Sequence, residues 1–251
     1  MIRASEQANR KLFIVKQNRF NPPIVALRNA IDEGRLGRVL GVQVNCFWNR
    51  NEAYYNSSDW KGTKELDGGT LYTQFSHFID LMYWLNGEVE RISAYTCNLN
   101  LGKIVEFEDS GVIALTFANG SLGTIHFSVN SFGKNMEGSI TVFGTRGTVK
   151  VGGQYLNTLE YQAIEDYTIP DVEEHRPPNE YGFYQGSMSN HDKVYENIVH
   201  VLHENGRIAT GGEEGLKTVE IIEKIYRAAG EKDFLHSTEE TPVEPSRRLA
   251  N

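Results

Sequence analysis

The sequence lacks most features that would quickly assign it. No uninterrupted apolar run among its 251 residues approaches the roughly 20 needed to cross a membrane, and no secretory signal opens the chain. It holds only two cysteines, Cys46 and Cys97, each in an apolar alternating stretch. They read as small buried hydrophobes rather than as a disulfide, a metal pair or a nucleophile, and the compartment implied is the reducing cytoplasm. Basic charge is also scarce. The net charge is −8, and no Lys/Arg stripe is interleaved with aromatics, which argues against nucleic acid as a partner. A G-x-G-x-x-G turn after a strand, a Walker loop and a G-x-S-x-G nucleophile elbow are all missing, and Gly152-Gly153 and Gly211-Gly212 stand in the wrong context to hold phosphates. His200 and His203, three apart, come nearest to a metal-ligand pair and read as helix surface. No dinucleotide and no metal is therefore expected on this chain alone.

What is present is a regular alternation of elements. Residues 1 to about 10 look helical, and Leu12-Phe13-Ile14-Val15 reads as a short buried strand. Pro22-Pro23 opens a helix with Ile24, Leu27 and Ile31 on one face, closed by Gly34. A long strand over Gly37 to Phe47 follows, then a polar aromatic loop. Asp67 suits the N-cap of a helix whose Leu71, Phe75, Phe78, Met82 and Leu85 share a face, ended by Gly87. Strands are predicted over Val89–Asn98, Ser110–Phe117, Ser121–Asn130, Ser139–Phe143 and Thr148–Val151, with a hairpin at Asn119-Gly120. Two amphipathic helices, Asn190–Glu204 and Glu213–Ala229, complete the pattern. Strands joined by tight turns pair antiparallel, so the fold class is α+β: an open, predominantly antiparallel sheet with helices packed on one face. Residues 1–20 do not fit that plan and look like the last unit of a parallel α/β sheet. The expected division is a remnant of a dinucleotide-binding domain over 1–20, the α+β domain over 21–236, and a flexible tail over 237–251.

The helix over Gly68–Asn86 carries the informative polar groups. Thr70, Thr73, His77 and Asp80 lie opposite its apolar face, with Gln74 at the edge. His77 suits a proton acceptor near neutral pH, or else a histidine bonded to Asp80 or a carbonyl. Lys16-Gln17-Asn18-Arg19 follows the apolar stretch 12–15, where α/β sheets bind ligands. Trp48-Asn49-Arg50, Tyr54-Tyr55 and Trp60-Lys61-Gly62-Thr63 form an aromatic, basic loop suited to a sugar ring with an anionic group, or one simply packed over the sheet.

A succession of short motifs then points to a family. Asn18-Arg19-Phe20-Asn21-Pro22, Ile31-Asp32-Glu33-Gly34-Arg35-Leu36-Gly37, Asp67-Gly68-Gly69-Thr70-Leu71, His77-Phe78-Ile79-Asp80, Trp84-Leu85-Asn86-Gly87, Glu108-Asp109-Ser110-Gly111, Gly144-Thr145-Arg146-Gly147-Thr148 and Thr210-Gly211-Gly212 occur in this order. Together they resemble the glucose–fructose oxidoreductase/inositol dehydrogenase (Gfo/Idh/MocA) family over nearly the whole chain. The resemblance implies an amino-terminal Rossmann domain binding NAD or NADP, and a carboxy-terminal substrate domain that oligomerises through its sheet face. It also implies that the cofactor half, with its glycine fingerprint and its Glu-Lys-Pro lysine, is missing, so the chain alone is expected to be inactive. By the same resemblance His77 takes the catalytic histidine's place. Thr73 stands where many members carry Asp, which weakens an inositol dehydrogenase assignment.

Lys16-Gln17-Asn18-Arg19, Trp60-Lys61-Gly62-Thr63, Gln74-Phe75-Ser76-His77 and Lys134-Asn135-Met136-Glu137-Gly138-Ser139 are similar to the branch oxidising the 3-hydroxyl of UDP-N-acetylglucosaminuronic acid in bacterial O-antigen synthesis. The implied roles are proton acceptance by His77, and substrate contacts by Lys16, Asn18, Arg19, Tyr55, Lys61, Thr73 and Gln74. Expected partners are a nucleotide-sugar or sugar, the Rossmann domain and further copies of the chain. The alternatives are a non-catalytic binding or assembly module, or a family enzyme acting on inositol, a simple aldose or a biliverdin-like substrate.

Overall fold

In a computed structural model, residues 1–170, 172, 178–182 and 184–230 are described. The tail over 237–251 and the six residues before it lie outside them. A seven-stranded open sheet forms the centre: β1 (Val39–Phe47), β2 (Val89–Cys97), β3 (Ser110–Phe117), β4 (Leu122–Ser128), β5 (Glu137–Gly144), β6 (Gly147–Gly152) and β7 (Thr158–Ile164), in the order β2-β3-β4-β1-β5-β6-β7. Every neighbouring pair is antiparallel except β1 with β4. That parallel pair is possible because a long crossover through helix and strands separates them in sequence. A short ribbon, β8 (Pro178–Glu180) with β9 (Gln185–Met188), stands apart.

Alternation along the strands decides which face is covered. Val42, Val44 and Cys46 of β1, Ile113, Leu115 and Phe117 of β3, and Ile125 and Phe127 of β4 point to one buried side. Helices α2 (Pro22–Asp32), α5 (Ser76–Asn86) and α7 (Gly212–Gly230) pack there, while α6 (His191–Glu204) lies against the turn at Gln17–Phe20. The expected stripe Leu71, Phe75, Phe78, Met82 and Leu85 is wholly buried. Trp48 meets Phe75 and Phe78 at 5.5 and 5.6 Å, and Phe75 meets Phe127 at 5.6 Å. Each such ring contributes roughly 2–3 kcal/mol of transfer free energy. This cluster lies under the amino end of α5 and fixes its position.

Two expectations fail. Residues 12–15 form no strand: Val15 is exposed, and among the described residues the segment's one cross-chain backbone bond is Ile14 N–H to Thr210 O at 3.0 Å. A ladder needs a neighbour to satisfy it, and no described strand runs alongside. The helix over Gly68–Asn86 is broken into α4 (Thr70–Thr73) and α5, with Gln74 and Phe75 between them. Asp67 does not cap it. Its carboxylate accepts from Gly62 N–H at 2.8 Å and folds the preceding loop, while Thr70 N–H is met at 3.0 Å by Glu108 Oε1. Gly68 and Gly69 carry φ of +81° and +131°, and a side chain at Gly69 would collide with the Tyr226 hydroxyl. These contacts fix where α4 begins; at the break itself Gln74 N–H and Phe75 N–H both donate to Thr70 O, at 3.0 and 3.2 Å.

Candidate functional site

The site is built where the Gln17–Phe20 turn presses on the start of α5. Lys16, Gln17, Asn18 and Arg19 are all buried, an unusual run of polar side chains away from solvent. Such groups need partners, and only some have them. Arg19 is fully engaged: Nε and Nη2 donate to the two oxygens of Asp80 at 2.8 and 2.9 Å, and Nη1 to Ala209 O at 3.3 Å, with Glu214 3.4 Å away. Thr218 Oγ1 completes Asp80 at 3.1 Å. Burial would lower the Arg19 pKa, but Asp80 and then Glu214 outweigh it and raise it. Arg19 was expected to meet a ligand anion; its donors serve Asp80 instead.

Lys16, Asn18 and His77 are less satisfied. Lys16 Nζ reaches Ser76 O at 3.4 Å, and burial lowers its pKa against the pull of Asp80. Among the described residues Asn18 Oδ1 is buried without a hydrogen-bond partner. So is His77 Nδ1, while His77 Nε2 lies 3.5 Å from Gln17 Nε2. His77 is not bonded to Asp80 or to a carbonyl. Burial, and then the Lys16 charge, depress its pKa to about 4, with Asp80 opposing and His191 adding slightly. At neutral pH the imidazole is therefore uncharged and able to accept a proton. Its neighbours Ser76 and Lys16, though not His77 itself, line an apolar groove of about 600 Å³ shared with Ile14, Tyr72, Gly215 and Val219.

The other expected residues lie on the far side of the helix break. Gln74 is buried, accepting from Arg50 Nε at 2.6 Å and donating to Tyr54 OH at 2.7 Å. Tyr55 is buried edge-on to Tyr54 at 5.0 Å, and burial drives its hydroxyl pKa up. Lys61 Nζ donates to Ser57 Oγ at 2.7 Å and stands 4.3 Å from the Tyr54 ring centre. Thr73 is exposed; its hydroxyl turns back to Gly69 O at 3.4 Å. The break thus separates Thr73 from the His77 turn, and Thr70 is spent on Glu108 O at 2.6 Å.

Sequence reasoning placed Arg50 in the aromatic loop without singling it out, and it passed over Tyr184. Both prove central, since Arg50 lies under the Trp48, Tyr54 and Tyr184 rings. The one available signal was a lone arginine three residues past the long strand, among aromatic residues. Among the described residues no group of three or more His, Cys, Asp or Glu is placed to hold a metal, and no helix is long and apolar enough to cross a membrane.

The class is that of an open α+β sheet with helices packed on one face and a neutral, under-partnered histidine at the start of the central helix. The chain belongs to the GFO/IDH/MocA family: residues 24–150 match the model of its C-terminal domain. It is 35% identical to the WlbA dehydrogenase of Bordetella pertussis, solved with NADH and UDP-GlcNAcA, at a TM-score of 0.77 over 91% of this chain and 64% of that one. It is 25% identical to the inositol 2-dehydrogenase of Rhizobium meliloti over 88% of this chain and 64% of the relative. It is 24% identical to the D-apiose dehydrogenase of Rhizobium rhizogenes over 91% of this chain and 65% of the relative. The chain thus spans somewhat less than two thirds of the length of these relatives.

Proposed function

We propose that this chain is the substrate-binding part of an NAD(P)-dependent dehydrogenase that oxidises a sugar hydroxyl, with the 3-hydroxyl of UDP-N-acetylglucosaminuronic acid as the target. The observation that carries the reading is His77, neutral and with a ring nitrogen left unpartnered in a buried polar corner. Such a group costs stability unless a ligand meets it, and a hydroxyl is a fitting ligand. His77 would take the hydroxyl proton as the carbon gives up its hydride; Lys16, whose charge acts on His77, and Asn18 on the adjoining turn would serve as donor and acceptor. Gln74 and Lys61 would orient the sugar and its acidic group. Arg19 and Asp80 brace the turn against α5, Tyr55 supports the aromatic loop, and Thr73 offers an outer hydroxyl contact.

The start of α7 does not suit a dinucleotide phosphate. Gly212 and Gly215, the glycines at the start of α7, are filled by Ile2, Leu12 and Ile14, and the first turn bears Glu213 and Glu214, which repel phosphate. The nicotinamide would be held by a Rossmann domain outside this chain, with residues 1–20 as its junction, so the isolated chain would be inactive. Tyr95, Val112, Leu122, Phe143 and Tyr161 are exposed on the outer sheet face. That apolar surface favours self-association.

The experiment is a panel of UDP-sugars, free aldoses and inositol, assayed for NADH or NADPH formation with the enzyme that contains this chain. The acidic nucleotide-sugar is expected to turn over fastest. In the same assay, His77→Ala is expected to lower kcat by about 100-fold or more with a much smaller effect on ligand affinity. Turnover near wild type would remove His77 from the mechanism.

A further inference from the structure

Arg50 is 3% exposed, yet no Asp or Glu among the described residues lies within salt-bridge distance of it. Its guanidinium is sandwiched by aromatic rings instead, with centres 5.0, 5.1 and 5.1 Å away for Trp48, Tyr54 and Tyr184. Nε donates to Gln74, and Nη1 to Asn49 O at 2.8 Å and Asn135 Oδ1 at 3.3 Å. Nη2 donates to no described residue. Lys61 faces two of the same rings, 4.3 Å from Tyr54 and 5.6 Å from Tyr184. Two cations therefore share one pair of tyrosines with no acid between them. Ring faces attract cations, but they do not replace an anion for a charge withdrawn from water.

The surroundings are open enough for a ligand. Arg50 lines a cavity of about 470 Å³, and Asn49, Lys134, Asn135 and Tyr184 line a second of about 280 Å³ beside it. One acid stands on each wall, Glu52 accepting from Asn56 Nδ2 at 3.4 Å and Glu180 accepting from Gln185 Nε2 at 3.2 Å, and neither forms an ion pair with Arg50 or Lys61. Gln74 then links Arg50 to the helix break, three residues before His77.

We infer that this aromatic cage is an oxyanion receptor: Arg50 Nη2 and Lys61 Nζ together bind the anionic group of an acidic sugar ligand, and Gln74 sets its distance from His77. The shared chemistry is a pair of anionic oxygens, supplied by a sugar carboxylate or by a diphosphate. The inference deepens the sugar-oxidising reading by making an acidic group a requirement for substrate, but the binding event itself needs no redox chemistry.

The test is titration of the chain with four probes, D-glucuronate, UDP-GlcNAc, UDP-N-acetylglucosaminuronic acid and glucose, followed by tryptophan fluorescence, since Trp48 lies on Arg50. Anionic probes are expected to bind and glucose not, with affinity falling as salt rises. Whichever of the first two binds more tightly identifies the oxygens recognised. Arg50→Met is expected to weaken anion binding about 10-fold or more, and Lys61→Met about 3-fold. Circular dichroism checks the fold. If Arg50→Met does not fold, Arg50→Lys and Lys61→Met decide. Anion affinities unchanged within about 2-fold in the folded variants would overturn the receptor. Anion binding that depends on Arg50, in a protein whose full enzyme oxidises no sugar, would defeat the redox reading and leave the receptor standing. Sugar oxidation that ignores both Arg50 and substrate charge would defeat the receptor alone.

Discussion

Two arginines buried to nearly the same degree sit on opposite sides of one helix break and have opposite surroundings. Arg19 has a bidentate carboxylate, a second acid and a carbonyl, and its pKa is raised despite burial. Arg50 has three aromatic faces, two side-chain amides and a carbonyl, and burial lowers its pKa against the opposing pull of the tyrosines. The same contrast extends to their neighbours. Glu108 is an anchor, accepting from both Thr70 N–H and Tyr226 OH, whereas Asn18 Oδ1 and His77 Nδ1 have no partner. A satisfied polar group holds the fold; an unsatisfied one is open to a further partner, and among the described residues Ser58, Asp67, Asp109 and Thr116 also carry such an oxygen, away from the His77 turn.

The contrast can be tested by breaking each side. Asp80→Ala strands Arg19 in the interior and is expected to destabilise the chain by about 3–5 kcal/mol in urea unfolding. A loss below about 1 kcal/mol would mean the pair is not an anchor.

Smaller effects should appear with pH, and with opposite signs. Burial raises the Glu108 pKa to about 7, against its hydrogen bonds from Tyr226 and Thr70. The folded state then binds more protons than the unfolded one, so this contribution is full below about pH 4.5 and lost as pH rises through 7. His77, depressed to about 4, does the reverse: stability is kept above pH 6.5 and lost as pH falls through 4. Each is worth on the order of 1–3 kcal/mol. Glu108→Gln should leave a stability that rises with pH between 4.5 and 6.5, and His77→Gln one that falls. Identical slopes in the two variants would dissolve the distinction.

Arg50→Met should change stability least, by less than about 1.5 kcal/mol, because relief of a buried unpaired charge offsets the lost hydrogen bonds. A loss as large as that of Asp80→Ala would make Arg50 an anchor too.

Much of the fold was legible because it is local. The spacing of Leu71, Phe75, Phe78, Met82 and Leu85 gave the buried face, and Asn119-Gly120 gave the hairpin, with Gly120 at φ +80°. The place of β1 at the sheet's centre, parallel to β4, was not legible, since it depends on strands formed later in the chain. Nor were the start of α4 and its early end: Gly69 and Thr70 are held by Tyr226 and Glu108, and Gln74 at the break by Arg50 and Tyr54, which no window around them contains. Residues 12–15 misled because apolar content without a partner strand does not make a ladder. At the site, His77, Lys16 and Asn18 were legible as residue types in a recognisable order. Which cations are free was not, because Asp80 and Tyr184, which decide it for Arg19 and Arg50, lie far away in sequence.

The most direct test is a crystal structure of the protein with UDP-N-acetylglucosaminuronic acid bound. A sugar hydroxyl is expected within hydrogen-bonding reach of the His77 ring, with the ligand's anionic oxygens on Arg50 and Lys61. A ligand seated elsewhere, with His77 still facing only protein, would contradict it.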